Sequence, residues 1–236
     1  MYWWLLLLCP LAYLIGGFNV SKTVTKAQHV DLSKIGSGNA GATNVGRAMG
    51  FKWFLLVTIL ECLKCASIVL IGYLFVSFYT GTFNYFNSES HYIVILAMGL
   101  CAIIGAMFPV WYHFKGGKAL ATTLGLALFL NPLITIAIVV FFAVLLAITK
   151  IMSLSTILGT ITWAVLSLCF EAPLTAPVII LYCACVALIV YSHRKNIVRL
   201  LTGKENKFTL KKKQTVPPTT NLAPQNNAAK INQLEQ

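Results

Sequence analysis

Apolar runs and short polar stretches alternate along this chain. The apolar runs cover about 2–20, 51–77, 92–112, 119–130, 133–149, 154–170 and 174–192. A membrane helix needs about 20 mostly apolar residues, somewhat fewer when the span is short. Residues 119–149 admit two readings: one long helix kinked at Asn131-Pro132, or two short helices joined by a turn there. Charge decides. Lys118 precedes the segment and Lys150 follows it, and only a hairpin puts both lysines on one side. The residue before a proline also disfavours helix, which suits a turn. The pattern predicts an all-α polytopic membrane protein with about seven transmembrane helices, its N-terminus outside and its C-terminus cytoplasmic.

Sidedness follows from the basic residues. In this arrangement Lys22, Lys26, Lys34, Arg47, Lys52, Lys115, Lys118, Lys150, Arg194, Lys195, Arg199 and the tail lysines share one face. The opposite loops carry Glu89, His91 and Glu171 and no Lys or Arg. An excess of Lys and Arg in short loops marks the cytoplasmic side. Lys64 is the one basic residue inside a span, and Glu61 stands three positions before it.

Composition agrees. The chain is 58% apolar and 10% charged, where a soluble domain carries about 25% charged residues. The net charge of +12 lies beside apolar spans, so anionic lipid and anionic substrates are the expected partners, not nucleic acid. All 7 cysteines lie in apolar runs; Cys62 and Cys65 have redox spacing but no βαβ context, and read as small buried residues. The N-terminus has no basic n-region and no Ala-x-Ala site, so it is read as a span and not a signal peptide. Trp3 and Trp4 suit an interfacial belt. Residues 1–207 form a transmembrane domain with cytoplasmic loops at 31–47, 113–123 and 193–205. From 208 to 236 the chain turns to Lys, Pro, Thr, Asn and Gln. That composition predicts a disordered polar tail. No internal repeat is visible.

Three loops on the basic side carry the candidate chemistry. The first, Gly36 to Arg47, contains a formal G-x-G-x-x-G. A dinucleotide fold needs a strand before it and a helix after it within a βαβ unit; here a polar connector precedes the loop and the chain soon returns to the membrane, so that reading fails on context. Glycine-rich turns still direct backbone N–H groups inward to bind anions. Ser37, Asn39, Thr43 and Asn44 add neutral donors, and Arg47 adds a bidentate fork. A plain linker is the alternative. The second loop, Lys115-Gly116-Gly117-Lys118, opens a helix bearing Thr122 and Thr123; a helix N-terminus favours an anion, though two lysine anchors around a glycine turn would look the same. The third runs from His193 to Glu205. His193 and Asn196 share a helical face, while Arg194, Lys195 and Arg199 can be read as snorkelling anchors. Glu61 and Lys64 read as a supporting structural pair more than as catalytic groups. His29 and His113 have no ligand-spaced partners, His91 reads as an interfacial residue, and neither a metal cluster nor a cofactor motif is visible.

These loops resemble the signature motifs of the bacterial integral-membrane acyl-phosphate:glycerol-3-phosphate acyltransferase family, PlsY. Gly36 to Arg47 is similar to its GSGN-x-GATN-x-x-R motif, with Ala40 where proline is common. Phe108-Pro109-Val110 with Lys115 to Lys118 is similar to its FPV…KGGK motif, and His193 to Glu205 to HR-x-NI-x-RL-x-x-G-x-E. Glu61 and Lys64 fit a recurring acid-x-x-Lys pair. The resemblance covers about residues 10–207. Departures are Gly17 where serine is usual, Ala106 where histidine is usual, and Ala119 where glycine is usual. Ser153 and Ser155 resemble a family serine pair, which leaves open which of them lines the site.

The resemblance implies acyl transfer from acyl phosphate to the 1-hydroxyl of glycerol 3-phosphate, giving lysophosphatidate and phosphate, at the cytoplasmic face of a bacterial inner membrane. It implies no cofactor, and it implies a soluble enzyme that supplies the acyl phosphate as a partner. Arg47 and Lys118 are then expected to hold the acceptor's phosphate. Ser37, Gly38, Asn39 and nearby amides would hold the donor and the developing oxyanion. His193 and Asn196 would orient the acceptor hydroxyl, and the proton would pass to His193 or to the donor phosphate. Gly41, Thr43, Asn44, Lys115, Gly116, Gly117, Arg194 and Glu205 would complete the binding shell. A transporter for an organic phosphate and a scaffold acting through its basic tail are the competing readings; a transporter's cations should line a path near the midplane.

Overall fold

The computed structural model describes residues 7–81, 89–170 and 172–208, and every regular element among them is helical. Ten α-helices follow in order: α1 Leu8–Gly16, α2 Val20–Ala27, α3 Ala42–Met49, α4 Phe51–Thr80, α5 Glu89–Met107, α6 Leu120–Leu130, α7 Pro132–Thr149, α8 Met152–Phe170, α9 Ala176–Ser192 and α10 Arg194–Leu201. Trp3, Trp4, Glu171 and the expected tail beyond Phe208 lie outside the described residues.

The expected spans and the observed helices agree closely at 51–77, 133–149, 154–170 and 174–192. Four segments are long and apolar enough to cross a membrane: Phe51–Thr80, Glu89–Tyr112, Pro132–Thr149 and Met152–Phe170. A fifth arises if α9 and α10, bent by 61° at their junction, count as one. Of the other two expected spans α6 is shorter, and the start of the first lies outside the described residues. α1 has 9 described residues and α6 has 11. At 1.5 Å per residue α6 rises only about 16 Å, about half of a 30 Å hydrocarbon core.

The turn at Asn131-Pro132 is a hairpin. Asn131 is extended, its Oδ1 accepts the Ile134 amide at 2.7 Å, and Pro132 occupies the first turn of α7. Hydrogen bonds described below join Lys118 to Ser153 through two side chains, so the start of α6 and the end of α7 lie at the same end of the bundle. α7 has 18 residues against 11 for α6. α6 is thus about 10 Å shorter than α7 along its own axis.

α5 is the axis of the bundle. In its apolar window 72% of residues are buried, against 6% for α7, whose Leu133, Ile136 and Ile148 face outward. Such exposure suits a helix against lipid. α1 lies very close to α5: a Cβ on Gly105 would sit 2.1 Å from the Tyr13 carbonyl, and one on Gly16 2.5 Å from Ala102 Cα. Small residues allow this approach between membrane helices. His91, expected at an interface, is fully buried, its Nε2 3.3 Å from Ser77 Oγ. At the other limit of the domain the Phe208 amide donates to the Lys150 carbonyl at 2.6 Å.

Candidate active site

The first loop is pinned from within by Asn44. This side chain is 1% exposed; its Nδ2 donates to the Leu32 and Ile35 carbonyls at 3.1 and 2.8 Å, and its Oδ1 accepts the Ser37 amide at 3.3 Å. Gly36 lies in the left-handed region at φ 55°, and a Cβ there would sit 2.5 Å from Asn44 Oδ1. The loop delivers the chain into α3, whose N-cap is Gly41, with no side chain capping it. An uncapped N-terminus leaves free amides and a positive dipole end. Behind the loop, Asn19 donates to the Ala40 carbonyl at 3.3 Å.

The second loop folds back on the end of α5. The Gly116 and Gly117 amides donate to the Met107 and Ala106 carbonyls at 3.2 and 3.0 Å. Gly116 has no room for a side chain, since a Cβ would meet the Ala106 carbonyl at 2.2 Å. Ala119 starts α6 at φ 56°, again without a side-chain cap. A non-glycine residue in that region carries about 1–2 kcal/mol of strain, which accounts physically for glycine being usual there.

The third element turns at His193, between α9 and α10. His193 is 3% exposed, with Nδ1 2.9 Å from the Ile189 carbonyl and 3.0 Å from Ser192 Oγ. A carbonyl can only accept, so Nδ1 carries the proton and Nε2 presents a lone pair. One turn on, Asn196 Oδ1 accepts from Lys118 Nζ at 2.5 Å, and its Nδ2 donates to Glu205 Oε1 at 2.5 Å. Ser153 Oγ donates to the same oxygen at 2.8 Å, and Arg199 Nε to Oε2 at 2.7 Å. A single carboxylate thus ties α10 to the start of α8 and, through Asn196, to the second loop.

Burial and mutual repulsion set the charge states. Burial, followed by the nearby cations Arg199 and Arg47, brings Lys118 down to about 8 against the pull of Glu205. Burial, then Lys118, lowers His193 to about 4, so it is neutral at physiological pH. Burial also lowers Arg47 without threatening its charge. Burial works to raise Glu205, but hydrogen bonds from Asn196, Arg199 and Ser153 prevail and hold it below its usual value. Among the described residues, no group of three or more His, Cys, Asp or Glu side chains could hold a metal ion.

These groups border one cavity of about 540 Å³. Its polar end is lined by Ser37, Asn39, Gly41, Thr43, Asn44, Arg47, Gly117, Lys118, Ser153, His193, Asn196 and Glu205. Its apolar part runs between α6, α7 and α8, past Ile138, Phe142 and Gly159 to Trp163. Six of the expected residues do not line it. Arg194 lies over the Tyr191 ring at 4.3 Å and donates to the Tyr191 carbonyl; one helical step from His193 turns it about 100° away. Ser155 is buried and bonds the Ile151 carbonyl, so Ser153 is the serine that reaches the cavity. Lys115 receives Lys22 Nζ on its carbonyl at 2.9 Å, Gly38 gives its amide to Ile35, and Gly116 shapes the loop against α5. Lys64 holds the Gly16 and Phe18 carbonyls at 2.9 and 2.6 Å and Glu61 at 2.7 Å. Glu61 borders the cavity, and its Oε1 accepts the Val20 amide at 3.0 Å. Asn19, Ser21 and Arg199 line the cavity although sequence reasoning gave them no role there. For Arg199 the signal was its place three residues after Asn196, on the same helical face.

A family model described as glycerol-3-phosphate acyltransferase matches residues 6–203. The chain belongs to the glycerol-3-phosphate acyltransferase family. A glycerol-3-phosphate acyltransferase of Aquifex aeolicus is 37% identical over 205 residues, covering 86% of this chain and 98% of its own. One of Listeria monocytogenes is 35% identical over 206 residues, 86% and 96%. Among solved structures, the crystal structure of PlsY (YgiH), an integral membrane glycerol 3-phosphate acyltransferase, in its glycerol 3-phosphate form superposes with a TM-score of 0.75 at 35% identity. It covers 87% of this chain and 96% of that one. The lysophosphatidic acid form gives 0.74 at 34% identity. This family member is accordingly an acyltransferase and a multi-pass membrane protein.

Proposed function

We propose that this chain transfers a fatty acyl group from acyl phosphate to the 1-hydroxyl of glycerol 3-phosphate, releasing lysophosphatidate and inorganic phosphate. The observation that carries the reading is the form of the cavity. Arg47, Lys118, Arg199 and the start of α3 gather at one end, and an apolar corridor leads away from them. Two phosphates and one long chain match that division. The one-sided basic residues support seven spans, an outside N-terminus, and a site facing the cytoplasm across the inner membrane. A soluble enzyme that makes the acyl phosphate would then meet the site from that face. Gathering of the cations at one end of the cavity, and not along its length, counts against the transporter reading.

In the proposed reaction Arg47 and Lys118 grip the acceptor phosphate, and Asn196 holds Lys118 in place. His193 Nε2 accepts a hydrogen bond from the acceptor hydroxyl and fixes its direction. The hydroxyl oxygen attacks the acyl carbonyl carbon. Ser37, Asn39 and the first amides of α3 stabilise the oxyanion, each aimed donor contributing about 3 kcal/mol. The bond from carbonyl carbon to bridging oxygen then breaks, and phosphate leaves. The hydroxyl proton goes to the departing phosphate. His193 is too weakly basic to retain it, with burial and Lys118 holding it near 4. Acyl phosphate is already activated, so positioning carries much of the remaining barrier.

The direct test is purified protein with glycerol 3-phosphate and each of acyl phosphate, acyl-CoA and acyl carrier protein thioester. Only acyl phosphate should yield lysophosphatidate, and turnover with a thioester instead would refute the donor. His193→Gln separates the proton routes. A positioning ligand mainly raises the KM for glycerol 3-phosphate, whereas a base loses about 100-fold or more in kcat.

A further inference from the structure

We propose that Trp163, facing the space left by Gly159, sets the length of acyl chain the cavity accepts; this rests on the acyltransferase reading above. α8 presents one face to the cavity, from Ser153 at the polar end through Thr156 and Gly159 to Trp163. Ten residues of helix separate the first from the last, about 15 Å. A zigzag of 1.5 Å bonds at about 111° advances about 1.25 Å per carbon, so this length of corridor holds about twelve carbons.

Trp163 is the deepest residue of α8 that the cavity touches, and Ser167, one turn further, is buried behind it. The indole is 2% exposed and packs on Tyr182 with ring centroids 5.1 Å apart. Its N–H has no hydrogen-bond partner among the described residues. The ring's bulk fills the space between α8 and α9 at this level. Gly159 supplies the converse. A Cβ there would meet Ile138 and Phe142 at 3.7 and 4.0 Å, ordinary contact distances. A methyl group would thus fit at Gly159 in contact with α7, and a larger side chain there would extend into the cavity that Gly159, Ile138 and Phe142 line.

The test is the chain-length profile of the full-length protein, with saturated acyl donors graded two carbons apart and rates expressed as long-to-short ratios within one preparation. Such ratios do not depend on the folded fraction. Trp163→Ala opens one helical turn, about 5.4 Å, and should move the optimum up by about four carbons. Trp163→Phe should move it partway, and serves if the alanine variant fails to fold. Gly159→Leu closes one turn and should move the optimum down by a similar amount. Superimposable profiles for parent, Trp163→Phe and Gly159→Leu would overturn the proposal. Whichever donor proves active is used, so a wrong leaving group is detected separately from a wrong ruler. If no donor supports transfer by the parent chain, the acyltransferase reading fails. The same shifts are then sought in thermal stabilisation by lysophosphatidates of graded length, and unshifted stabilisation would end this proposal too.

Discussion

Two acid–base pairs stand at or just behind the cavity, and they differ in what they hold. Glu61 and Lys64 are both close to buried and are bonded to backbone: Glu61 takes the Val20 amide, and Lys64 takes the carbonyls of Gly16 and Phe18. Glu205 and Arg199 stand at the polar end, and Glu205 takes side-chain donors from Asn196, Ser153 and Arg199. The first pair fixes where α4 meets the junction of α1 and α2. The second fixes where Lys118, Asn196 and Arg199 point. One builds the wall of the site, and the other aims its donors.

The largest effect should come from breaking the wall. Glu61→Ala leaves Lys64 with its charge uncompensated and should lower stability by about 3–5 kcal/mol. Unfolding in detergent measures it, and the surviving protein should keep its KM; intact stability with a raised KM would place Glu61 in substrate binding instead. Glu205→Gln should do the reverse. Losing charge-assisted bonds of about 1.5–3 kcal/mol should lower kcat/KM by about 10- to 100-fold, with a fall in Tm smaller than that of Glu61→Ala. A third experiment uses pH. On the proposed reading Lys118 binds phosphate as a cation, and its folded value is brought down to about 8. It is charged below that pH and neutral above it, so the KM for glycerol 3-phosphate should climb as pH passes 8. Lys118→Arg keeps its charge and should flatten the climb; an equal climb in both proteins would remove Lys118 from phosphate binding. The smallest effect belongs to Ala119→Gly. Relief of the left-handed alanine at the start of α6 should stabilise by about 1 kcal/mol, read as a rise in Tm without loss of turnover.

Much of this was legible in the chain. The Asn131-Pro132 turn followed from two lysines and one proline, because charge and missing backbone donors act locally. Ser37, Asn39, Arg47, Lys118, His193 and Asn196 came together because loop glycines and helix termini announce anion sites by residue type. The choice between Ser153 and Ser155 was not legible: it depends on which face α8 turns to its neighbours, and an apolar helix with lipid on one side and protein on the other has no periodic polar stripe to reveal it. The burial of His91 was hidden for the same reason. Arg199 was missed because an arginine next to a membrane can always be read as an anchor; its place three residues after Asn196 was the one signal, and its bond to Glu205 makes it plain. The short rise of α6 was visible as a brief apolar run, but its meaning needed the hairpin partner.

That brevity has a bearing on what becomes of the product. With α6 so short, the cavity on the proposed reading has its polar end towards the headgroups and its apolar part among the acyl chains. On the proposed reading, lysophosphatidate therefore forms with its headgroup and its tail already at the heights a lipid occupies. It can depart sideways into the leaflet without crossing water.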